Sequence, residues 1–339
     1  MLAKSKTFKE LTLTVVIPTY NEKDNVRPLI ALLDETLQTI VWEVVFVDDD
    51  SPDGTADEVR QIARKRENVR VIHRVGRRGL SGACIEGILS SSAPFAAVMD
   101  GDLQHDERIL VSMLAALEKD SDVDLVVGSR NVSGGSVGSG LTKIRSLGSD
   151  VATILARRLL KITVKDPMSG FFMVRLESFR GVVEELQMQG FKILTDLLSA
   201  SRGGWKVIEI PFVFKERKFG ESKMDSAVTL EYFGLILARL SGGRLSIRFI
   251  LFLFVGLTGV LVQLIMVALF LKVLLFSFFY SQILGVVAAM TSNFFLNNML
   301  TYRDQSLIGR QALIGLISFY FVCSLGAVAN VAVANIVYS

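Results

Sequence analysis

The chain has 339 residues, half of them apolar, with 37 basic and 34 acidic side chains and a net charge of +3. That length suffices for two domains, and so small a charge excludes nucleic-acid binding driven by bulk electrostatics. Two cysteines, Cys84 and Cys323, exclude a disulfide framework or a cysteine-based zinc site.

Residues 1–10 lack an apolar segment of signal-peptide length, so the charged part of the chain is expected to stay in the cytoplasm. Residues 13–17 are a short β-branched run that ends at Pro18, and an amphipathic stretch follows over 26–39. A second buried strand is expected over 43–47, ending in Asp48, Asp49 and Asp50. A helix over 56–67, a strand over 69–73, a helix over 82–91 and a strand over 95–99 come next. The last of these ends in Asp100, Gly101 and Asp102, and 124–128 reads as one more strand. Strands alternating with helices imply an α/β domain whose mostly parallel sheet is covered on both faces. Such sheets bind ligands at the carboxyl ends of their strands, which is where the acidic clusters fall.

A glycine-rich loop, 134–140, leads into an amphipathic stretch over 141–161 that carries Lys143, Arg145, Arg157 and Arg158. Residues 228–240 form a second stretch of this kind. Both fit helices packed on the sheet, and both fit helices lying at a membrane surface. From Phe249 onward only Lys272, Arg303, Asp304 and Arg310 are charged, whereas the residues before 247 carry acids and bases in equal number. Three apolar runs, about 249–271, 276–300 and 312–337, are each long enough to span a ~30 Å hydrocarbon core at ~1.5 Å per residue. The basic residues Arg244, Arg248, Arg303 and Arg310 place the 301–311 loop on the same side as the charged domain. The expected organisation is an α/β domain over 1–226, an amphipathic interface helix and linker over 227–246, and an all-α transmembrane domain over 247–339.

The strongest local signal is Asp100-Gly101-Asp102-Leu103-Gln104-His105, directly after an apolar strand. Two carboxylates two residues apart on a strand-end turn can share a hard divalent cation, Mg²⁺ or Mn²⁺, or divide between metal and ribose. A nucleotide diphosphate would supply further oxygens. Asp48, Asp49 and Asp50 repel one another and need partners; base N–H and ribose hydroxyl groups would suit them, and Ser51 or Asp53 would cap the helix after Gly54. Tyr20 could stack on a base while Glu22 accepts a hydrogen bond. His105 fits a residue that orients the neighbouring turn, and His73 a structural one.

Taken together, VVIPTYNE, VFVDDDSPDGT and VMDGDLQH, in that order, resemble the inverting family 2 glycosyltransferases of GT-A fold. Val127–Arg130, Asp166–Phe172 and Gly220–Lys223 extend the likeness to the dolichol-phosphate mannose synthase subgroup over 12–225. The run Ser292–Asn298 before Tyr302 and Arg303 is similar to a GtrA-like membrane domain. Such domains usually carry four spans and three are counted here; the fourth is either missing or replaced by a partner, a membrane protein or a second copy of the chain.

The resemblance implies roles. Pro18, Tyr20, Glu22, Val47 and Asp49 would hold the nucleoside of a nucleotide-sugar, expected to be GDP-mannose. Asp100, Gly101, Asp102 and Gln104 would line the diphosphate, with Asp102 and Gln104 on the metal. Arg130, Arg145 and Ser149 would hold the phosphate of a polyisoprenyl acceptor, and Lys192, Arg217 and Lys223 would close over the donor. Asp102 and Arg130 are expected to carry catalysis. The nucleophile would be a lipid phosphate oxygen, already anionic at neutral pH, so no general base is required. The task is to bring two anions together, for which arginine forks and a cation are suited.

A related enzyme using a UDP-sugar and undecaprenyl phosphate is the first alternative. A processive polysaccharide synthase is disfavoured because no Gln-x-x-Arg-Trp sequence is present. A non-catalytic sugar-translocation factor is disfavoured by the complete Asp and Arg set and by spans without internal charge.

Overall fold

Seven strands form the main sheet of the first unit, Met1–Gly243; a second unit covers Arg244–Ser339. The computed structural model describes residues 10–137, 162–187, 192–215, 226–241 and 244–338. The expected helix over 141–161, and with it Arg145 and Ser149, lies outside the described residues, as do Arg217 and Lys223.

The elements alternate as the sequence pattern predicts. They run β1 (Leu13–Thr19), α1 (Lys23–Thr36), β2 (Trp42–Asp48), α2 (Thr55–Ala63), β3 (Val69–His73), α3 (Leu80–Leu89), β4 (Phe95–Val98), α4 (Ile109–Lys119) and β5 (Val123–Ser129). A short β6 (Ser136–Val137) follows, then β7 (Phe172–Arg175), α5 (Leu176–Val182), α6 (Ile193–Ala200), β8 (Lys206–Pro211), β9 (Val213–Phe214) and α7 (Ser226–Leu240). The strand order is β3-β2-β1-β4-β7-β5-β8, parallel except for β7, which runs against both β4 and β5.

Because β7 reverses between two strands that agree in direction, the carboxyl ends of β1, β2, β3, β4, β5 and β8 share one edge. The segment entering β7 joins them there. Every acidic turn named above, together with Arg130 and the 166–171 segment, is therefore delivered to one rim of the sheet. This is the geometric basis of the site.

Side-chain alternation builds the two cores. Val15 and Ile17 join Leu29, Leu33, Val59, Leu110 and Met113 on the face covered by α1, α2 and α4. Val16 joins Val45, Val47, Ile85, Ile88, Phe179 and Leu197 on the face covered by α3, α5 and α6. The same alternation places Phe171 and Met173 on the first face and Phe172 and Val174 on the second. α3 lies so close to the sheet that a Cβ on Gly87 would sit 2.3 Å from Val16 Cγ1 and 2.9 Å from Val47 Cγ2.

α7 is held to the first unit by an ion pair that sequence reading did not foresee. Arg239 donates from Nε to Asp196 at 2.8 Å, and Gln187 N–H donates to the other Asp196 oxygen at 2.7 Å. Tyr232, Leu235, Ile236 and Ala238 are buried, whereas Leu237 and Leu240 are exposed.

The second unit contains α8 (Ile247–Lys272), α9 (Phe278–Leu296) and α10 (Arg310–Tyr338), one for each apolar run. Among the described residues, Ile247–Lys272 and Phe278–Thr301 are long and apolar enough to cross a membrane. α8 and α9 approach through small residues, as helices do in lipid. A Cβ on Gly259 would fall 2.3 Å from Asn293 Oδ1, and one on Gly285 would fall 2.6 Å from Val267 Cγ2. Ser246 caps α8 by accepting from Phe249 N–H. Exposed Phe252, Phe254, Leu257, Leu261 and Leu264 give α8 an apolar outer face. A π-helical turn, Asn297–Thr301, ends the second span, and Asn298 fixes the following loop by bonding both peptide groups of Leu307.

The close approach at Gly87 makes a test. Gly87→Ala is expected to destabilise the first unit by about 1–3 kcal/mol through overpacking. A Cβ on Gly181 would meet nothing within 4 Å, so Gly181→Ala is expected to be neutral or mildly stabilising. Denaturant unfolding of the two variants checks the contrast; equal stability would contradict the packing described.

Candidate active site

The turn after β4 is built from the inside. Asp100 N–H donates to His105 Nδ1 at 3.0 Å, which fixes Nδ1 as the unprotonated nitrogen. The imidazole is buried, stacked on Phe171 at 4.9 Å and edged by Phe212 and Phe214. Burial lowers its pKa, against the pull of Asp100 and Asp102, so the ring is a neutral peg for the turn. Leu103 at φ 64 completes the bend. Asp102 is buried and accepts Gln104 N–H at 3.1 Å. Gln104 is in turn zipped to Lys215: its side-chain nitrogen donates to Lys215 O at 3.0 Å, and its backbone carbonyl accepts Lys215 N–H at 2.9 Å. The side-chain nitrogen of Gln104 is thereby held by Lys215.

These donors fit a divalent metal of the Mg²⁺ or Mn²⁺ type. Asp102 and Gln104 present only oxygens. Among the described residues no three His, Cys, Asp or Glu side chains converge. Mg²⁺ commonly keeps several waters and takes only one or two carboxylates from the protein.

Glu22 reaches the same place from β1. A Cβ on Gly101 would meet Ile17, Thr19 and, at 3.8 Å, Glu22. Glu22 accepts from Asn25 Nδ2 at 2.6 Å, and its N–H donates to Thr55 Oγ1. Pro18 and Val47 are register partners in β1 and β2. The Val47 side chain lies in the core, so only its backbone faces the rim.

The triple aspartate differs from expectation in one respect: each carboxylate already has partners within the chain. Asp48 accepts from Thr19, from Ser51 N–H and from Ser51 Oγ. Asp49 pairs with Arg74 and accepts Gly79 N–H. Asp50 accepts from His73 Nε2 at 2.9 Å and from Gly76 N–H. His73 is set by Arg60 at its other nitrogen, a structural placement. At the start of α2 the N-cap position is Gly54, and Asp53 before it accepts Thr55 N–H and O–H.

Across the rim, Arg130 follows β5 and is gripped by Asp166. Its Nε and Nη2 donate to the two carboxylate oxygens at 2.8 and 2.9 Å, and its backbone N–H donates at 3.0 Å. The end of the guanidinium at Nη1 is the part that this pair does not use. Asp166 is 1 % exposed, and its own N–H donates to Glu209. Gly170 is so close that a Cβ there would lie 3.1 Å from Asp100 Oδ2. Lys192 stands at the start of α6. Burial, then the neighbouring Arg130, lowers its ammonium to about 8, opposed by Asp100 and Asp166.

The structure thus brings together Pro18, Tyr20, Glu22, Asp49, Asp100, Gly101, Asp102, Gln104, Arg130 and Lys192 at one rim. Sequence reasoning missed Asp166 as the partner of Arg130 and Arg74 as the partner of Asp49. The motif Asp166–Phe172 was visible, but nothing in it names the arginine it meets.

The rim thus combines an acidic turn, Asp100–Gln104, with a second half that carries Arg130 and Lys192. Residues 14–183 match the family model "Glycosyl transferase family 2", and residues 251–339 match "GtrA/DPMS, transmembrane domain". The chain is 37 % identical over 323 residues to the dolichol-phosphate mannosyltransferase of Pyrococcus furiosus, covering 94 % of this chain and 89 % of that one. It is 33 % identical to the Saccharomyces cerevisiae protein of the same name (65 % and 83 % covered). It is 31 % identical to the undecaprenyl-phosphate mannosyltransferase of Micrococcus luteus (64 % and 88 % covered). Among solved structures, glucosyl-3-phosphoglycerate synthase from Mycobacterium tuberculosis with Mg²⁺ and UDP superposes at a TM-score of 0.53 and 19 % identity, covering 68 % of this chain and 80 % of that one. Mannosyl-3-phosphoglycerate synthase from Rubrobacter xylanophilus superposes at 0.52 and 18 % identity (69 % and 76 % covered), which shows a shared fold. The chain belongs to glycosyl transferase family 2 and carries a GtrA/DPMS membrane domain behind its catalytic domain.

Lys192 gives the site a pH signature. Its ammonium loses a proton near 8 in the folded chain, against an ordinary value of 10.5. Between these values the unfolded chain binds more protons, so this group makes folding more favourable as pH rises. The site meanwhile loses a cation. Sugar transfer is expected to decline as pH rises through about 8 without loss of fold, and Lys192→Arg, charged throughout, is expected to remove that decline. An identical pH–rate profile in the variant would exclude Lys192 as its source.

Proposed function

We propose that the chain transfers mannose from GDP-mannose to the phosphate of a polyisoprenyl lipid at the cytoplasmic face of a membrane. The observation that carries this reading is the pairing, at one sheet rim, of the Asp100–Gln104 turn with the Arg130–Asp166 and Lys192 cluster. One half suits a metal-bound diphosphate and the other a phosphate monoester. The names of the relatives, mannosyltransferases acting on dolichol and undecaprenyl phosphates, support the choice of sugar and acceptor.

A divalent cation bound at Asp102 and Gln104 would neutralise the leaving diphosphate. Tyr20, Glu22 and Asp49 would hold the nucleoside, and the Asp100 turn would orient the diphosphate. The Nη1 end of Arg130 would take an acceptor phosphate oxygen, with Arg145 and Ser149 proposed beside it. Lys192, with Arg217 and Lys223, would offset the charge accumulated as the two anions meet. Attack of the acceptor oxygen on the sugar's anomeric carbon, opposite the departing diphosphate, inverts that carbon and requires no proton transfer. The α8 and α9 spans, and α7 at the surface, would keep the prenyl chain in lipid, since each buried CH₂ is worth ~0.8 kcal/mol.

The test incubates purified full-length chain with GDP-mannose, UDP-glucose or a UDP-aminosugar, a short prenyl phosphate, and Mg²⁺, Mn²⁺ or chelator. Metal-dependent mannolipid formation from GDP-mannose is expected. Product from a UDP-sugar alone would replace the donor assignment. Asp102→Asn, which keeps volume but removes charge, is expected to lower turnover by at least about a hundredfold at saturating metal, with the folded circular dichroism retained. Normal turnover in that variant would overturn the metal assignment.

A further inference from the structure

Arg74 follows β3 and is buried, an uncommon place for an arginine. None of the roles given above uses it. Its Nη1 donates to Asp49 Oδ1 and, at 3.1 Å, to Gly79 O, and its Nε donates to Glu86 at 3.2 Å. The second Asp49 oxygen takes Gly79 N–H at 2.7 Å. Both peptide groups of Gly79 are thereby committed to one ion pair. The backbone that allows this is restricted: Gly76 sits at φ 66 and Gly79 at φ 135, where L side chains are rarely found. Arg77 holds Glu86 from the outside through two bonds, at 2.7 and 3.1 Å. The same turn lays the Arg78 guanidinium over the Tyr20 ring, 4.6 Å from its centroid.

Two residues proposed for the nucleoside, Asp49 and Tyr20, thus depend on one turn, 74–79, and that turn is tied down at Arg74. Burial raises the pKa of Asp49, and Arg74 is the main opposing influence. Without the guanidinium the carboxyl group would be drawn toward its neutral form and would lose the partner that fixes its rotation.

We infer that Arg74 is a positioning residue of the nucleoside pocket. Through its ion pair with Asp49 and its bond to Gly79 it keeps the Asp49 carboxylate aimed as an acceptor for nucleoside N–H and O–H groups. The inference rests on the donor site proposed above. Arg74 itself would touch neither substrate.

The test compares full-length wild type with Arg74→Lys, Arg74→Gln, Asp49→Asn and the Arg74→Gln/Asp49→Asn double variant. Donor KM, acceptor KM and kcat are measured separately, and GDP affinity is measured by calorimetry without acceptor. Arg74→Gln is expected to raise donor KM and GDP Kd at least about tenfold, with acceptor KM within about twofold. Arg74→Lys is expected to recover part of the loss, since it keeps the charge but not the fork. The double variant should be no worse than the weaker-binding single, because both changes remove one unit. An unchanged donor KM, singles whose effects multiply, or equal losses in both substrates would overturn the inference. If Arg74→Gln fails to fold, Arg74→Lys and Asp49→Asn decide: an unchanged donor KM in both is the contradicting result. Should wild type bind UDP and not GDP, the donor reading fails separately, and the same comparison is run with UDP.

Discussion

The ion pair between Arg130 and Asp166 joins the carboxyl end of β5 to the segment that enters β7. It lies where the sheet departs from a purely parallel pattern. β7 reverses direction, so the residues that precede it arrive at the same rim as the residues that follow the parallel strands. Asp166 is buried and Arg130 largely so. Removing one partner of a buried pair leaves an uncompensated charge and costs on the order of 3–5 kcal/mol. The pair occupies Nε and Nη2 of the guanidinium.

From that constraint the division of the rim follows. On one side stand the oxygen donors Asp102 and Gln104, set by the His105 peg and the Lys215 zipper. On the other stand Arg130, paired with Asp166, and Lys192. A site for two phosphate-bearing molecules must hold cations in reserve without collapsing when empty, and paired carboxylates achieve this. The neutral, aromatic-boxed His105 fits the same chemistry, since an anionic phosphate nucleophile requires no base.

Much of this was legible in the residues. The short apolar runs located β1, β2 and β4, the last two by the acids that end them, and their alternation with helices predicted a parallel sheet covered on both faces. The uniform apolarity after Phe249 located the helices of the second unit. β7 was not legible as a strand: Phe172–Arg175 is four residues long and follows directly on the Asp166–Phe172 motif, whose residues suggest a turn. The partners of Arg130, Asp49 and Arg239 were not legible either. They lie 36, 25 and 43 residues away in sequence, and no local spacing rule connects charges brought together by strand order. The triple aspartate finds its distant partners the same way, Thr19, Arg74 and His73 from neighbouring strand ends, and Ser51 from its own turn.

The central claim is that the Arg130 side of the rim receives the acceptor and the Asp102 side the donor. Steady-state kinetics of Arg130→Lys, with donor and acceptor varied independently, address it most directly. Lysine keeps the charge but cannot hold Asp166 with one edge and a phosphate oxygen with the other. An acceptor KM raised by at least about tenfold, with donor KM within about twofold, is expected. A defect confined to donor KM would place Arg130 in the other half of the site and contradict the division.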